Sequence, residues 1–115
     1  MPDVTLAAQK IVRAGLVPTY TTPLLTTNNY KFKNDGKTFL HVKKTGAGAC
    51  DCTFTTPRTV GSLAIADPVV QVPATTGDKM IGPFEPDLFN DGDGNVTVTF
   101  SEITGLSAAV IQSGI

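Results

Sequence analysis

The chain has 115 residues, of which 41% are apolar and 17% charged, with a formal net charge of −1. That length fits one domain able to bury about two-thirds of its unfolded surface, and the low charge excludes a disordered chain. The near-neutral balance excludes an electrostatic footprint for nucleic acid, which needs clustered Lys and Arg.

Lys31, Lys33, Lys37, Lys43 and Lys44 come nearest to a basic cluster. They read as a solvated face or a guarded sheet edge, with contact to an acidic partner as the alternative. The N-terminus lacks the basic and apolar regions of a signal peptide. No apolar run reaches the ~18 residues of a membrane helix. These features predict a soluble chain made in the cytosol, with no membrane partner.

Thr5 to Gly15 is the only helix-compatible stretch, with a strand or a docked arm as the alternatives. Leu16 to Asn29 carries Pro18, Pro23 and repeated threonines without any charge. Proline blocks helix and central strand alike, so this stretch is predicted to be extended. Leu16, Val17, Tyr20, Leu24 and Leu25 are too apolar for a solvated linker. Residues 1–29 are therefore predicted to form an extended Thr/Pro-rich arm ordered by contact with a partner, and these five residues are its binding candidates. Residues 30–115 are the predicted body.

Tyr30 to Lys33 alternates apolar with charged residues and predicts a half-buried strand. Asn34-Asp35-Gly36 predicts a hairpin turn, because these residues accept positive φ. Strands follow at Thr38–Thr45 and Ala49–Thr55 around the turn Gly46-Ala47-Gly48, and Pro57 ends the second. Ser62–Ala66 and Val69–Pro73 are short strands. After the turn at Thr75–Asp78, Lys79-Met80-Ile81 is predicted to pair onward with Gly82-Pro83-Phe84. Pro86 to Asn90 is a loop with a short turn, and Asp91-Gly92-Asp93-Gly94 is the densest turn signal. Val96, Val98 and Phe100 face inward on the clearest strand, with Thr97 and Thr99 outward. A last strand spans Leu106 to Ile111. Seven or eight short strands at this spacing predict an all-β fold, a single-domain β-sandwich or jelly-roll-like barrel.

Asp91, Asp93, Asn95 and Glu102 occupy positions 1, 3, 5 and 12 of a calcium-loop pattern. The pattern requires Gly at position 6, where Val96 stands. An extended strand would also carry Glu102 about 20 Å past Val96, at ~3.3 Å per residue. The segment reads as a hairpin turn, with a weak cation site as the alternative. Cys50 and Cys52 would share one strand face about 7 Å apart, too far for easy disulfide bonding. With Gly46-Ala47 centring a hairpin, His41 would oppose Cys52, an incomplete zinc corner. Packing of free thiols is the plainer reading. His41 is the only histidine, no nucleophile elbow surrounds any Ser or Cys, and nothing brings Glu85 and Glu102 together. The sequence predicts no catalytic site, no metal and no cofactor.

Gly36–Ala47, Met80–Phe84, Phe89–Asp91, Asn95–Ser101 and the upstream Ala14–Tyr20 together resemble small proteins encoded beside the capsid genes of tailed bacteriophages and prophages. The resemblance rests on strand and turn patterns, and no site residue transfers through it. It implies a virion structural protein, made in the host cytoplasm and placed on the capsid surface as a decoration or cement protein. The implied partners are the major capsid protein and neighbouring copies in a homo-oligomer, a trimer or other cyclic form. The alternatives are a tail-associated or carbohydrate-binding β-sandwich module, and a head–tail connector or tail component.

Overall fold

Alternation of apolar and polar residues sets which side of each strand is buried, and two sheets share the resulting interior. The computed structural model describes residues 3–22, 24–57, 59–64 and 66–113. The strands are β1 (Asp3–Thr5), β2 (Ala8–Lys10), β3 (Asn29–Lys33), β4 (Thr38–Lys44), β5 (Cys50–Phe54), β6 (Thr59–Val60), β7 (Leu63–Ala64), β8 (Val69–Val72), β9 (Gly77–Ile81), β10 (Asn95–Phe100) and β11 (Leu106–Gln112). A single helical turn, α1 (Pro86–Phe89), precedes β10.

One sheet has the order β1-β3-β10-β5-β8 and the other β2-β11-β4-β9. The pairs β1/β3 and β2/β11 are parallel and all other pairs antiparallel. The architecture is an all-β sandwich. β6 and β7 form a separate small hairpin between β5 and β8. The predicted strands at 30–33, 38–45, 49–55, 69–73, 96–100 and 106–111 are all present within a residue or two.

Their partners differ from the sequence reading. The turns at Asn34–Gly36 and Gly46–Gly48 do not close hairpins: β3 and β5 lie in one sheet and β4 in the other. β9 pairs with β4 rather than with Gly82–Phe84. Each of these turns arches across the sandwich, so one strand's buried face meets the next strand's buried face across the interior.

The described residues among the first 29 are also built into the sandwich. β1 extends one sheet, the chain crosses at Leu6, and β2 extends the other. Leu6 is 4% exposed and Leu24 fully buried. The Thr5–Gly15 stretch thus takes its strand alternative, and the segment read as an arm closes one open side of the sandwich. Met1, Pro2 and Pro23 lie outside the described residues.

Two plugs close the ends of the interior. At one end Phe84, from the segment before α1, packs its ring 4.9 Å from Phe54, 5.4 Å from Phe89 and 5.6 Å from Phe32, centroid to centroid. The Asn34 side-chain amide donates to the Phe84 carbonyl at 3.0 Å and so holds the plug. At the other end Lys44 is fully buried. Its ammonium donates to the carbonyls of Thr104 and Ala47, and Glu102 lies 3.9 Å away. Burial of an ammonium is tolerable only with such partners. Gly46 and Gly105 allow the two turns to meet there: a Cβ on Gly46 would lie 2.4 Å from the Thr104 carbonyl oxygen, and Gly105 has φ +65°. Lys44 therefore leaves the solvated set in which sequence placed it. It shares strand parity with Leu40 and Val42.

Neighbouring residues Leu24 and Leu25 separate core from surface, the first fully buried and the second 47% exposed. Leu24→Ala should cost about 2–5 kcal/mol through lost burial and a residual cavity. Leu25→Ala should stay within about 0.5 kcal/mol. Urea midpoints of the two variants check this.

Candidate functional site

The two outer faces of the sandwich differ in chemistry. On the β3/β10/β5 sheet the outward positions are Lys31, Lys33, Thr97, Thr99, Asp51 and Thr53, all polar or charged. Lys31 lies 3.4 Å from Asp91 and 3.6 Å from Asp3. These neighbours, Asp3 first, hold its pKa above the usual lysine value. Lys33 donates to the Asp93 carbonyl at 2.7 Å. This is a solvated face.

The outer face of the other sheet is largely apolar. β4 turns Phe39, His41 and Lys43 outward, β9 adds Asp78 and Met80, and β11 adds Ala109 and Ile111. The register sets His41 between Met80 and Ala109, and Phe39 beside Ile111. A strap formed by residues 11–22 lies over this surface. Its entry is fixed by Ile11 N–H donating to the Gln112 carbonyl at 2.8 Å. The Gln9 side chain accepts from Thr19 N–H and donates to the Thr19 carbonyl, both at 2.7 Å, mimicking a backbone pair. Thr21 and Ala108 exchange backbone hydrogen bonds at 2.7 and 3.3 Å.

Tyr20 latches the middle of the strap to β4. Its hydroxyl lies 2.8 Å from His41 Nδ1, and His41 Nε2 meets the Asp78 carboxylate. A carboxylate only accepts, so Nε2 carries a hydrogen, and Nδ1 shares the second hydrogen bond with the Tyr20 hydroxyl. Lys43 Nζ sits 4.6 Å from the centre of the Tyr20 ring, a cation–π contact worth about 0.5–1 kcal/mol at a surface. Both His41 nitrogens are thus engaged in holding the strap.

Between strap and β9 runs an apolar groove of about 270 Å³. Leu16 and Pro18 wall it on one side and Met80 on the other, Phe39 and His41 line it, and Ile11 and Ile111 complete it. Val17 on the strap is 87% exposed and Met80 61% exposed. Such a surface can take an apolar side chain or an extended apolar segment from another protein.

Of the five residues assigned to partner binding from sequence, Leu16 lines the groove, Val17 is exposed on the strap and Tyr20 anchors the strap. Leu24 is in the core. Leu25 is exposed elsewhere, its N–H donating to the Tyr30 hydroxyl at 2.7 Å. Sequence reasoning missed Phe39, Met80 and Ile111, which come from three strands. The parity of Phe39 and His41, opposite to Leu40 and Val42, was the available signal for the first of them.

The other sequence constellations do not assemble. Asp91 caps its own turn, its Oδ1 accepting from the N–H groups of Asp93 (2.8 Å) and Asn95 (3.0 Å). Burial pushes this carboxyl up, but those N–H groups and Lys31 outweigh it and hold the pKa below the ordinary value. Glu102, at the far end of β10, accepts from Thr104 N–H at 2.7 Å. His41 faces outward on one sheet, whereas Cys52 is fully buried on the inner face of the other, so the expected opposition of the two is absent. Turn Gly46–Gly48 is an arch and not a hairpin, which separates them. Cys50 and Cys52 are both free and buried. The Cys52 thiol is pushed up by its hydrogen bond to Cys50 and by burial, and the same hydrogen bond draws Cys50 down. Among the described residues no three His, Cys, Asp or Glu side chains are grouped to hold a metal ion.

No family model, curated protein or solved structure matches this chain.

Tyr20→Phe removes the strap's link to His41 while keeping the ring. The amides of Thr19 and Thr21 should then exchange faster with solvent than in the parent chain, with core amides unchanged. Amide exchange by NMR reads this out.

Asp91 gives a pH test. Its folded pKa is depressed, so its contribution is fully present above the unfolded value and lost as pH falls through the folded one. The parent chain should lose stability below about pH 4. Asp91→Asn should be less stable at neutral pH and show a shallower acid limb, measured by urea midpoints across the acidic range.

Proposed function

We propose that this chain is a structural protein that adheres to other protein surfaces, in the role of a capsid decoration or cement protein binding a major capsid protein. The observation that carries the reading is the contrast between its two outer faces. One is polar, with Lys31 paired to Asp3 and Asp91. The other holds an apolar groove beside a pinned strap, with Val17 and Met80 in solvent.

The physical logic is adhesion by apolar contact. Scattered apolar side chains on a surface need no explanation, but a groove bordered by exposed ones on a rigid sheet is a site where burial brings a gain. Removing apolar area from water contributes roughly 25 cal/mol per Å² before ordering costs are subtracted. The hydrogen bonds to Gln9, His41 and Ala108 order the strap in advance, which reduces that cost. The low charge of the chain suits a shell lattice, where many copies lie close together and like charges would repel.

His41 serves in this reading to position the strap, through its bonds to Tyr20 and Asp78. A sugar-binding module has less support. Tyr30 is 2% exposed and the face of Tyr20 lies under Lys43, so neither ring offers a free stacking platform.

Val17→Asp and Met80→Asp alter exposed positions, so melting should change little. Each should abolish co-sedimentation with empty capsid shells, whereas Thr97→Asp and Thr99→Asp on the opposite face should not. Saturation at lattice stoichiometry supports decoration. Occupancy of a single vertex would assign a connector instead, and binding unaffected by either groove variant would overturn the reading.

A further inference from the structure

The sandwich has four edge strands: β1, β2, β8 and β9. An edge strand leaves backbone N–H and C=O groups open to another chain, and proteins guard such edges with charge. β1 carries Asp3, β2 carries Lys10, and β9 carries Asp78 and Lys79. β8 reads Val-Val-Gln-Val, and no charged residue stands between Pro68 and Gly77. It is the one edge strand without a charge, bounded instead by Pro68 and Pro73, and Val69 on it is 56% exposed.

The open groups of β8 follow from its register. In an antiparallel pair, alternate residues bond to a given neighbour. Phe54 N–H donates to the Pro68 carbonyl at 3.0 Å, and Cys52 and Cys50 oppose Val70 and Val72. Pro68, Val70 and Val72 therefore turn their backbone groups toward β5. Val69 and Gln71 turn theirs to the open side, where no described residue pairs with them.

We propose that β8 pairs antiparallel with β8 of a second copy about a two-fold axis at Val70, joining the two five-stranded sheets into one. Val69 then exchanges both backbone hydrogen bonds with the partner's Gln71, and Gln71 with the partner's Val69. Every open group on the segment is satisfied. Val70 meets the partner's Val70 as a non-hydrogen-bonded pair, the closer of the two pairings and a favourable one for β-branched side chains. The missing N–H of Pro68 belongs to the β5 side, whereas Pro73 has the open-side parity and, lacking an N–H, ends the ladder after Val69 and Gln71.

The same operation on β9 fails, which is why the partner is assigned to β8. Thr45 N–H donates to the Gly105 carbonyl at 3.1 Å, so the odd-numbered residues of β4 bond to β11 and the even-numbered ones to β9. Asp78 and Met80 are then the open residues of β9, and the two-fold that pairs Asp78 with the partner's Met80, as Val69 pairs with Gln71, falls on Lys79. It would set Lys79 directly against the partner's Lys79, and like charges in that position are destabilising. A second copy is thus self-complementary to β8 in hydrogen bonding and meets no like charge there. β8 lies on the sheet opposite the groove, so this pairing leaves the docking face free and does not depend on the function assigned to it.

The ladder is short, so association should depend on concentration. Sedimentation equilibrium on the full chain should show mass rising toward twice the monomer value. Gln71→Pro removes the outward N–H together with the side-chain hydrogen bond from Gln71 Nε2 to Asp51 at 3.4 Å; edge strands tolerate proline, and the rise should be lost. In the parent chain the amides of Val69 and Gln71 should exchange more slowly as concentration rises, with those of Asp78 and Met80 unchanged. This second readout decides the matter if Gln71→Pro fails to fold. A chain monomeric up to millimolar concentration, or a dimer indifferent to Gln71→Pro, would overturn the proposal. So would amides at Val69 and Gln71 that slow only on capsid shells, which would mark a strand of the shell protein as the occupant. The groove variants Val17→Asp and Met80→Asp should leave the association intact, so the two proposals fail separately.

Discussion

The interior of this sandwich depends on connections that cross between its layers. From β1 to β5 and from β8 to β11 each strand in chain order lies in the sheet opposite its predecessor. Sheets packed face to face stand ~10 Å apart, so each such turn must span the core edge. The hydrogen-bonded neighbours of a strand are consequently distant in sequence, as with β10 between β3 and β5. Such pairings form late, after the loop-closure entropy has been met, and they place this fold among the slow-folding β topologies.

That arrangement also explains the chemistry at the two ends of the core. Arches leave the ends of a sandwich open unless something fills them. Phe84 fills one end from a non-strand segment held by Asn34. Lys44 fills the other, its stem in the core and its ammonium bonded to carbonyls of the two arches that meet there. The lysine therefore does a structural task that its charge alone would not suggest. The chain segment through Leu6 closes one side of the sandwich, and β8 and β9 border the opposite side.

The grooved outer face is a product of the same topology. Because the chain leaves β2, forms the strap and returns to β11 at Thr21, a stretch rich in threonine and proline is held across an outer sheet face instead of projecting into solvent. Its polar groups are satisfied by Gln9, His41 and Ala108, which frees its apolar side chains to border a groove. Leu16 and Tyr20 were legible as residues of an extended, uncharged, proline-containing stretch, and the structure sets Leu16 in the groove wall and Tyr20 on His41. Leu24 looked equivalent in composition but lies past the crossing at Thr21, on the core side. Phe39, Met80 and Ile111 are separated by dozens of residues, and only strand register makes them neighbours.

Local pattern, by itself, determined the strands and their buried faces. Val96, Val98 and Phe100 could only point one way once Thr97 and Thr99 pointed the other, and the same period of two governs Tyr30 and Phe32. Glycine and Asx residues likewise determined where the chain turns. The tertiary structure alone decided what each turn connects, whether Lys44 meets water or carbonyls, and that His41 and Cys52 lie on different sheets. The reason is that side-chain alternation is a property of a few adjacent residues, whereas pairing depends on the free energy of a whole buried interior. A tight turn permits either a hairpin or an arch, and the interior selects between them.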